Sequence, residues 1–443
     1  MIRTTHGRRA RLLAAALWAA ALPLPLAGQD ALTLSAAADA ALASHPSVLA
    51  ADARLDGADA GRRAARAAFL PSVVGSSGLT RHAEPMVVAP LHGFDPTHPP
   101  DFDRTLVQSQ LAMEVTLLDF GARRAQLRGA EALAAGLDLR ADATGQELLE
   151  SVTAAYTGVL ATREMQAAAR RQVDALASEL DRAEQRLREG TAARVEVLRA
   201  EAALLDARAQ LATAEARVGL AERGLARIMG VDAASVVGRP LADVEPRAEV
   251  APPALGVDPR VEAARRSVEA ARARLSQERA GRLPTLKGTA GLLNFGSGAG
   301  EYVTEWQAGV RLSWPLFTGG ARSAAIARAQ ADLRVAEEEL RQVELAVAAA
   351  LDGADAALTE ARGRAEALAA SVAQWEEVAR IEALSLETGA GVQQDYLRAQ
   401  AALFLARAGE ARARYDEIQA WVARARAQGR LDRAWMDDAL ETR

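Results

Sequence analysis

The sequence has no cysteine and a single lysine, Lys287, and aromatic residues make up only 4% of its 443 positions. Without cysteine the chain can form no disulfide, carry no lipid on an N-terminal cysteine and use no thiol as a nucleophile. Basic and acidic residues nearly balance, with a formal net charge of −5, so the chain offers no basic field for nucleic acid. Ala, Leu, Arg and Glu are abundant instead, a composition typical of long, closely packed helices.

Long apolar runs are also missing. An apolar run near the start, at 12–26, follows four arginines between residues 3 and 11. It is shorter than the ~18 residues that a membrane-spanning helix needs. Basic residues before a short apolar run are typical of an export signal, which we predict at 1–28; a retained membrane anchor is the alternative. We therefore expect an exported protein. If it enters a membrane, it does so without a membrane-spanning helix.

Several segments of the chain occur twice. GTAARVEVLRAEAALLDARAQ begins at Gly190, and GAGVQQDYLRAQAALFLARAG begins at Gly389, about 200 residues later. RAAFLPSVVGSSG is similarly paired with RAGRLPTLKGTAG, and LLDFGARRAQL with LFTGGARSAAI. Units of this length are too long for a solenoid, so two copies should build one pseudo-symmetric fold. We predict a first repeat at 29–230, a Pro-rich connector at 231–257, a second repeat at 258–425 and a C-terminal tail at 426–443.

The first copy also carries an insertion between Pro71 and Gly121. This interval contains HAEPMVVAPLHGFDPTHPPDFD, at 82–103, which is rich in Pro and His and therefore predicts a loop. Three histidines and three acids of this loop could in principle bind a metal ion: His82, His92, His98, Glu84, Asp95 and Asp101. Their spacing matches no compact ligand motif, so we expect no metal site here.

In one strand of each copy, apolar and polar residues alternate, so each strand has one apolar face. This face is formed by Leu111, Met113, Val115 and Leu117 in the first copy and by Trp306, Ala308, Val310, Leu312 and Trp314 in the second. The other face is polar and includes Glu114 and Arg311. Weaker strands are predicted before them, at 73–80 and 286–293. A sheet that is half-buried on a soluble core would show the same alternation.

The spacing of two tryptophans favours a membrane instead. Trp306 and Trp314 lie on one face, and the strand between them spans roughly 26 Å, close to the ~25 Å apolar band of outer-membrane strands. On this interpretation both tryptophans face lipid near the two interfaces, and Glu114 and Arg311 face the lumen. Four strands cannot close a barrel and open edges are not tolerated in lipid, so chains must associate; three chains would supply 12 strands.

Long helices complete each copy. No proline occurs between 121 and 189, and one helix of that length would extend on the order of 100 Å. After the next turn, an apolar stripe with spacings of three and four comprises Val197, Ala200, Leu204, Ala207, Leu211, Ala214, Val218, Ala221 and Leu225. It predicts a coiled-coil seam, with the core stripe of a helical bundle as the alternative. The expected fold is mainly α with a small β part, a two-fold internal repeat of a strand pair plus a long helical hairpin.

The most specific segments are FLPSVVGSSG, VTLLDFGARR, LSWPLFTGGARSAAIARAQA and the paired EGTAARVEVLRAEAAL and ETGAGVQQDYLRAQAAL. In this order they resemble the TolC family of outer-membrane efflux proteins. The resemblance implies a homotrimer whose 12-stranded β-barrel, in the outer membrane of a Gram-negative-type bacterium, continues into a 12-helix periplasmic α-barrel. It also implies an exit duct for small molecules or polypeptides, working with an inner-membrane pump and a periplasmic adaptor, with no cofactor and no enzymatic activity.

The resemblance further implies roles for the two hairpin tips. The residues expected to contact the adaptor are Gly190, Thr191, Ala192, Gly389, Ala390 and Gly391; plain turns without a partner are the alternative. Glu196 and Asp395 are implied to ring the periplasmic entrance, although simple helix capping would also place an acid there. The family has a second acid three residues after Asp395, where this chain has Arg398, and Arg199 stands likewise after Glu196. An acid and an arginine at this spacing can pair on one helix face, so we expect the constriction at the periplasmic end to be lined by Asp395, Arg398, Glu196 and Arg199, with alternating charges.

The main alternative to a channel is a structural protein. A periplasmic coiled-coil scaffold or adaptor without a pore would share the long helices and the apolar seam. Heat-modifiable trimers in the outer-membrane fraction would support the channel, and a soluble periplasmic protein would support the scaffold. No G-x-S-x-G, P-loop or Rossmann motif occurs in the sequence, which gives an enzyme no support.

Overall fold

The computed structural model describes residues 31–92, 97, 99–247 and 257–442. The predicted export signal at 1–28, residues 248–256 of the connector, Asp95 and His98 lie outside the described residues. The helices of the described part are α1 (Leu34–Ser44), α2 (Pro46–Ala67), α3 (Ala122–Arg188), α4 (Arg194–Met229), α5 (Pro259–Ala280), α6 (Ala321–Glu387), α7 (Gln393–Ala427) and α8 (Arg433–Ala439). Its strands are β1 (Ser72–Val87), β2 (Phe102–Leu118), β3 (Val244–Pro246), β4 (Thr285–Ser297), β5 (Tyr302–Ser313) and β6 (Leu440–Thr442).

The elements run in the same order in both halves of the chain. α2 and α5 each have 22 residues and begin with Pro46 and Pro259, in the first turn, where a backbone N–H has no intrahelical partner to lose. Two strands follow, and then a helix of 67 residues, α3 or α6, which extends for about 100 Å. The continuous helix predicted between 121 and 189 is confirmed.

The four long strands form one antiparallel sheet in the order β1-β2-β4-β5, which leaves β1 and β5 as its edges. The central pair joins the two halves of the chain, with Met113 of β2 opposite Ala290 of β4. On the outer sides, Met113 lies opposite Val73 of β1, and Ala290 lies opposite Ala308 of β5. This register aligns side chains of all four strands in rows, so the sheet has two distinct faces.

The prediction of a loop over the whole of 82–103 was wrong at both ends. β1 continues to Val87 and β2 begins at Phe102, and these two residues lie opposite each other. The register shifts once in β1, over a stretch that includes Pro85. Proline is tolerated at a bulge in an edge strand, so it interrupts the pairing here without ending the strand.

α3 and α4 pack as one helical hairpin, and α6 and α7 pack as a second. Along the predicted apolar stripe of α4, Ala200, Leu204, Ala207 and Leu225 are buried and the remaining members are half-buried. α3 also packs against α5 and α7, which ties the first half of the chain to the second. No helix in the described ranges combines the length and the apolar character that crossing a bilayer requires.

The main hydrophobic core surrounds the middle of α3. Its fully buried members include Val152, Tyr156, Val159, Leu225, Ile418 and Val422. The Tyr156 hydroxyl lies 2.6 Å from the Leu32 carbonyl and 2.7 Å from the Ala242 carbonyl, and its burial raises the pKa of Tyr156 far above the usual range. β3, from the connector, pairs with β6, from the tail, which the sequence did not predict. Both segments therefore belong to the folded body.

Candidate functional site

One face of the sheet is apolar and exposed across all four strands. Its large exposed side chains are Val73, Leu79, Leu111, Met113, Leu292, Tyr302, Trp306, Val310 and Leu312. Trp306 is 77% exposed and Val310 71% exposed. Trp314 follows immediately after β5, and its indole N–H donates to the Arg282 carbonyl at 3.2 Å. A continuous exposed apolar face of this extent marks a surface that contacts lipid or protein.

A single polar row crosses this apolar face next to Trp306. It consists of Ser77, Ser109, Asn294 and Thr304, which lie opposite one another from β1 to β5. The Ser77 and Ser109 hydroxyls are 2.8 Å apart, and the Asn294 side-chain amide donates to the Thr304 hydroxyl at 2.8 Å. Trp306 is two residues from Thr304, so the row of Trp306 borders the polar row on one side, and the row of Leu79, Val107, Gly296 and Tyr302 borders it on the other. The sequence showed no such row, because it exists only once four strands are in register.

The opposite face carries charged side chains near the end of the sheet that leads into the long helices. By register Glu114, Lys287 and Arg311 all belong to this face. The Lys287 Nζ is 2.7 Å from the Glu114 Oε1, and Arg311 lies directly opposite Lys287. The predicted placement of Glu114 and Arg311 opposite the tryptophan face is confirmed. That this face lines a lumen remains a prediction.

The two hairpin tips have the same turn geometry. Gly190 and Gly389 have φ of 75° and 73°, as predicted for the residue that ends each helix. The Thr191 N–H donates to the Arg186 carbonyl at 2.9 Å, and the Ala390 N–H donates to the Ser385 carbonyl at 2.8 Å. These bonds satisfy carbonyls that the end of a helix leaves without an intrahelical partner. Ala192 and Gly391, which are half-buried, complete the tips, and nothing in the structure tests their contact with a partner.

The predicted entrance residues lie in the first turn of α4 and α7. The Asp395 carboxylate is 3.5 Å from Arg398, so the expected pairing within one helix face is present. The Glu196 carboxylate accepts the Ala193 N–H at 3.4 Å, which is the helix-capping arrangement. Arg199 makes no ion pair with a described residue. Within one chain, the described residues therefore show a capping role for Glu196 and a local ion pair for Asp395.

Sequence reasoning missed a buried ionic cluster near the tips. Glu179 of α3 has no exposed surface. Its carboxylate accepts hydrogen bonds from Arg186 at 2.9 Å, from Arg182 at 3.2 Å and from the Gln393 amide of α7 at 3.0 Å. Arg182 also stacks over the Tyr396 ring, 5.9 Å from its centre. The cluster therefore joins the first hairpin to the start of α7, and no local sequence pattern indicates it, because the burial of Gln393 and Tyr396 becomes visible only in the structure.

Neither His82 nor His92 forms a metal site with other described residues. His92 contacts Glu305 of β5, with Nε2 2.6 Å from Oε1, and Glu84 pairs with Arg104 at 3.6 Å. Within the described ranges no group of three or more His, Asp or Glu side chains is placed to hold a metal ion. His92 instead links the loop after β1 to the opposite edge of the sheet.

An exposed apolar sheet joined to helices of about 100 Å defines a class of protein that crosses the outer membrane with strands and reaches into the periplasm with helices. Comparison with known sequences agrees with this class. The chain belongs to the outer membrane efflux protein family, whose model matches residues 37–231 and 251–430. It is accordingly an outer-membrane channel protein of efflux or secretion systems, with an extended periplasmic part.

Two curated relatives cover most of the chain. Protein CyaE of Bordetella pertussis is 30% identical over 395 residues, which are 85% of this chain and 80% of CyaE. The alkaline protease secretion protein AprF of Pseudomonas aeruginosa is 27% identical over 400 residues, 84% of this chain and 79% of AprF. Among solved structures, the outer membrane protein VceC of Vibrio cholerae shares the fold with a TM-score of 0.75 at 20% identity, covering 89% of this chain and 96% of VceC.

Proposed function

We propose that three copies of this chain assemble into one duct, with a 12-stranded barrel in the outer membrane and a 12-helix tunnel across the periplasm. The observation that carries this proposal is the sheet, which is open at both edges and exposes a continuous apolar face. Each backbone N–H or C=O group left unpaired at a sheet edge in lipid would cost several kcal/mol, which is about the free energy of one hydrogen bond in an apolar medium. We therefore expect β5 of one chain to pair with β1 of the next. The duct transports rather than catalyses.

Assembly and conductance test this proposal together. The protein extracted from outer membranes should migrate as a trimer that heating converts to monomers, and the trimer should conduct ions in a planar bilayer. A monomer in the soluble periplasmic fraction would contradict the proposal and would support the scaffold alternative. A trimer that never conducts would also contradict it, because that result would leave an assembly without a pore.

The hairpin tips are proposed to receive a periplasmic adaptor that connects the duct to an inner-membrane pump. Support comes from their position at the free end of both hairpins, where Gly190, Thr191, Gly389 and Ala390 are exposed. Photo-crosslinkers at Ala192 or Ala390 should capture the adaptor in cells. A matched crosslinker at Gly300, in the turn between β4 and β5, should not. If the adaptor were captured only from Gly300, the proposed orientation, with the hairpin tips toward the inner membrane, would be wrong.

The cargo is proposed to be a secreted polypeptide. This rests on AprF, which is named for the secretion of alkaline protease and resembles the chain over 400 residues. Comparing proteins in the culture medium with and without the gene should show the loss of one or a few polypeptides. An unchanged set of secreted proteins, with increased sensitivity to small toxic compounds, would instead indicate efflux of small molecules.

A further inference from the structure

The single lysine of the chain lies at an unfavourable position in the sheet. Lys287 on β4 is directly opposite Arg311 on β5. Side chains that face each other across an antiparallel pair have Cβ atoms roughly 5 Å apart, and like charges there destabilise the sheet. Arg311 makes no ion pair with any described residue, although Asp and Glu account for 58 residues of the chain.

Only one of the two positive charges is compensated. Glu114 on β2 pairs with Lys287 at 2.7 Å, on the side of β4 away from Arg311. The other residues in these rows of the same face are neutral: Ser72, Thr116, Thr289 and Gly309. Glu114, Lys287 and Arg311, which we call the barrel-base cluster, therefore carry a net charge of +1 per chain. The acid Glu305 on this face stands six residues from Arg311 along β5, roughly 20 Å away, and contacts His92.

We propose that the barrel-base cluster forms a positive ring that attracts small hydrated anions and disfavours cations at the helix-side end of the barrel lumen. The inference rests on the proposed trimer, which places three clusters around one water-filled opening. An anion between Lys287 and Arg311 offsets the repulsion that the register imposes on them. Because walls of low dielectric focus the field of a charged ring, its effect on ions in the lumen exceeds that of the same charges on an open surface.

A cysteine placed beside the cluster measures this potential directly, since the chain has no other cysteine. Gly309 is two residues from Arg311 on the same face, and an added Cβ there would meet only the Thr289 hydroxyl, at 3.9 Å. The trimer carrying Gly309→Cys, in lipid vesicles, is treated with a sulfonate or with a trimethylammonium methanethiosulfonate reagent, and the two reaction rates are compared. Ala308→Cys, one residue away on the apolar face, reports which face water reaches.

We expect the ratio of anionic to cationic reagent rates at Gly309→Cys to be at least about fivefold higher than in the same variant with Lys287→Gln and Arg311→Gln. Glu114→Gln should raise the ratio further, because it removes the only compensating charge. Arg341→Gln, which removes an exposed arginine from α6, should leave the ratio unchanged.

Two outcomes would overturn the inference in different ways. Equal ratios with and without Lys287 and Arg311 would show that there is no positive ring, while leaving the duct intact. Reaction at Ala308→Cys, with none at Gly309→Cys, would show that the assigned faces are reversed, and would count against the proposed barrel itself.

Discussion

Glu179 is an acid that the fold has buried completely, which is rare unless a charge is paired and hydrogen-bonded. Arg182, Arg186 and Gln393 supply these partners. The arrangement is not an efficient source of stability, because desolvating two or more charges offsets most of their attraction. We expect the cluster to contribute specificity instead, because one register of α7 on α3 brings Gln393 to Glu179.

Removing this carboxylate should loosen the tip region. Glu179→Ala leaves Arg186 without this partner and removes one of the two carboxylates that Arg182 contacts, the other being Glu387 at 3.3 Å. Because both arginines are partly exposed, we expect a cost of about 1–3 kcal/mol. Hydrogen exchange of the backbone amides at 176–190 and 393–400 should become faster in this variant. Glu184→Ala serves as the control, since Glu184 is exposed and lies 3.8 Å from Arg188. Equal exchange in the two variants would show that the buried cluster does not hold α7 on α3.

At the scale of elements, the two glycines that end α3 and α6 have a backbone conformation that other residues rarely adopt. Nothing lies within 4 Å of a Cβ added at Gly190 or Gly389, so any cost of substitution there comes from φ alone. Other glycines of the long helices have ordinary helical geometry, as at Gly353 in α6, where an added Cβ also meets nothing within 4 Å. The same chemical change is therefore expected to have opposite effects at the two kinds of position.

Gly389→Ala should destabilise the second tip by about 1–2 kcal/mol, because alanine is strained at positive φ. Gly389→Asn should lose less, since asparagine tolerates this region. Gly353→Ala should instead stabilise its helix by roughly 0.5–1 kcal/mol. Local hydrogen exchange would measure all three changes. Stabilisation by Gly389→Ala would show that the turn does not need a left-handed residue.

The strands can be tested through their two faces. Val310→Arg places a charge on the apolar face and should hinder membrane assembly by about 2–4 kcal/mol if this position is near the middle of the membrane. Gln307→Arg, on the same strand and the opposite face, should assemble normally. Trimer yield in the outer-membrane fraction compares the two variants. A normal yield for Val310→Arg would contradict the assignment of this face to lipid.

Prediction from sequence was most successful where local patterns decide the structure. The absence of proline predicted α3, spacings of three and four predicted the buried stripe of α4, and the tip glycines were placed correctly. Prediction from sequence failed where contacts between distant segments decide the structure. The pairing of Val244 with Thr442 cannot be seen in either segment alone. The segment 82–103 was predicted as a loop because the position of Pro85 in an edge strand was unknown. Glu179 resembles any exposed helical acid until α7 covers it.

At the scale of the whole molecule, the two hairpin tips lie at the same end. Leu397 of α7 packs on Leu176 and Leu204 of the first hairpin, which brings the starts of α4 and α7 into one region. In a trimer this region would hold three copies each of Glu196 and Asp395. Since Glu196 caps its own helix, Asp395 is the acid with more freedom to face the opening.

Asp395→Ala should increase conductance through the closed channel and reduce its block by divalent cations. Like carboxylates brought together in a narrow opening are unfavourable unless cations lie between them, and the variant removes these carboxylates. Arg398 would weaken the effect because it compensates part of the charge. Purified trimers in planar bilayers provide the measurement, with Glu366→Ala on α6 as the control. If conductance and cation block were both unchanged, Asp395 would have only a local role in its helix.

The junction between β2 and β4 has one further consequence. It sets the second strand of one half against the first strand of the other half, and β5 against β1 of a neighbouring chain would repeat that arrangement. If the two halves were separate chains, the proposed ring would have to assemble from six molecules. Covalent linkage makes half of these junctions intramolecular, at an effective concentration on the order of millimolar however dilute the chain. Linkage also allows the two halves of one chain to differ, so in the proposed trimer a feature such as the contact between His92 and Glu305 would occur three times rather than six.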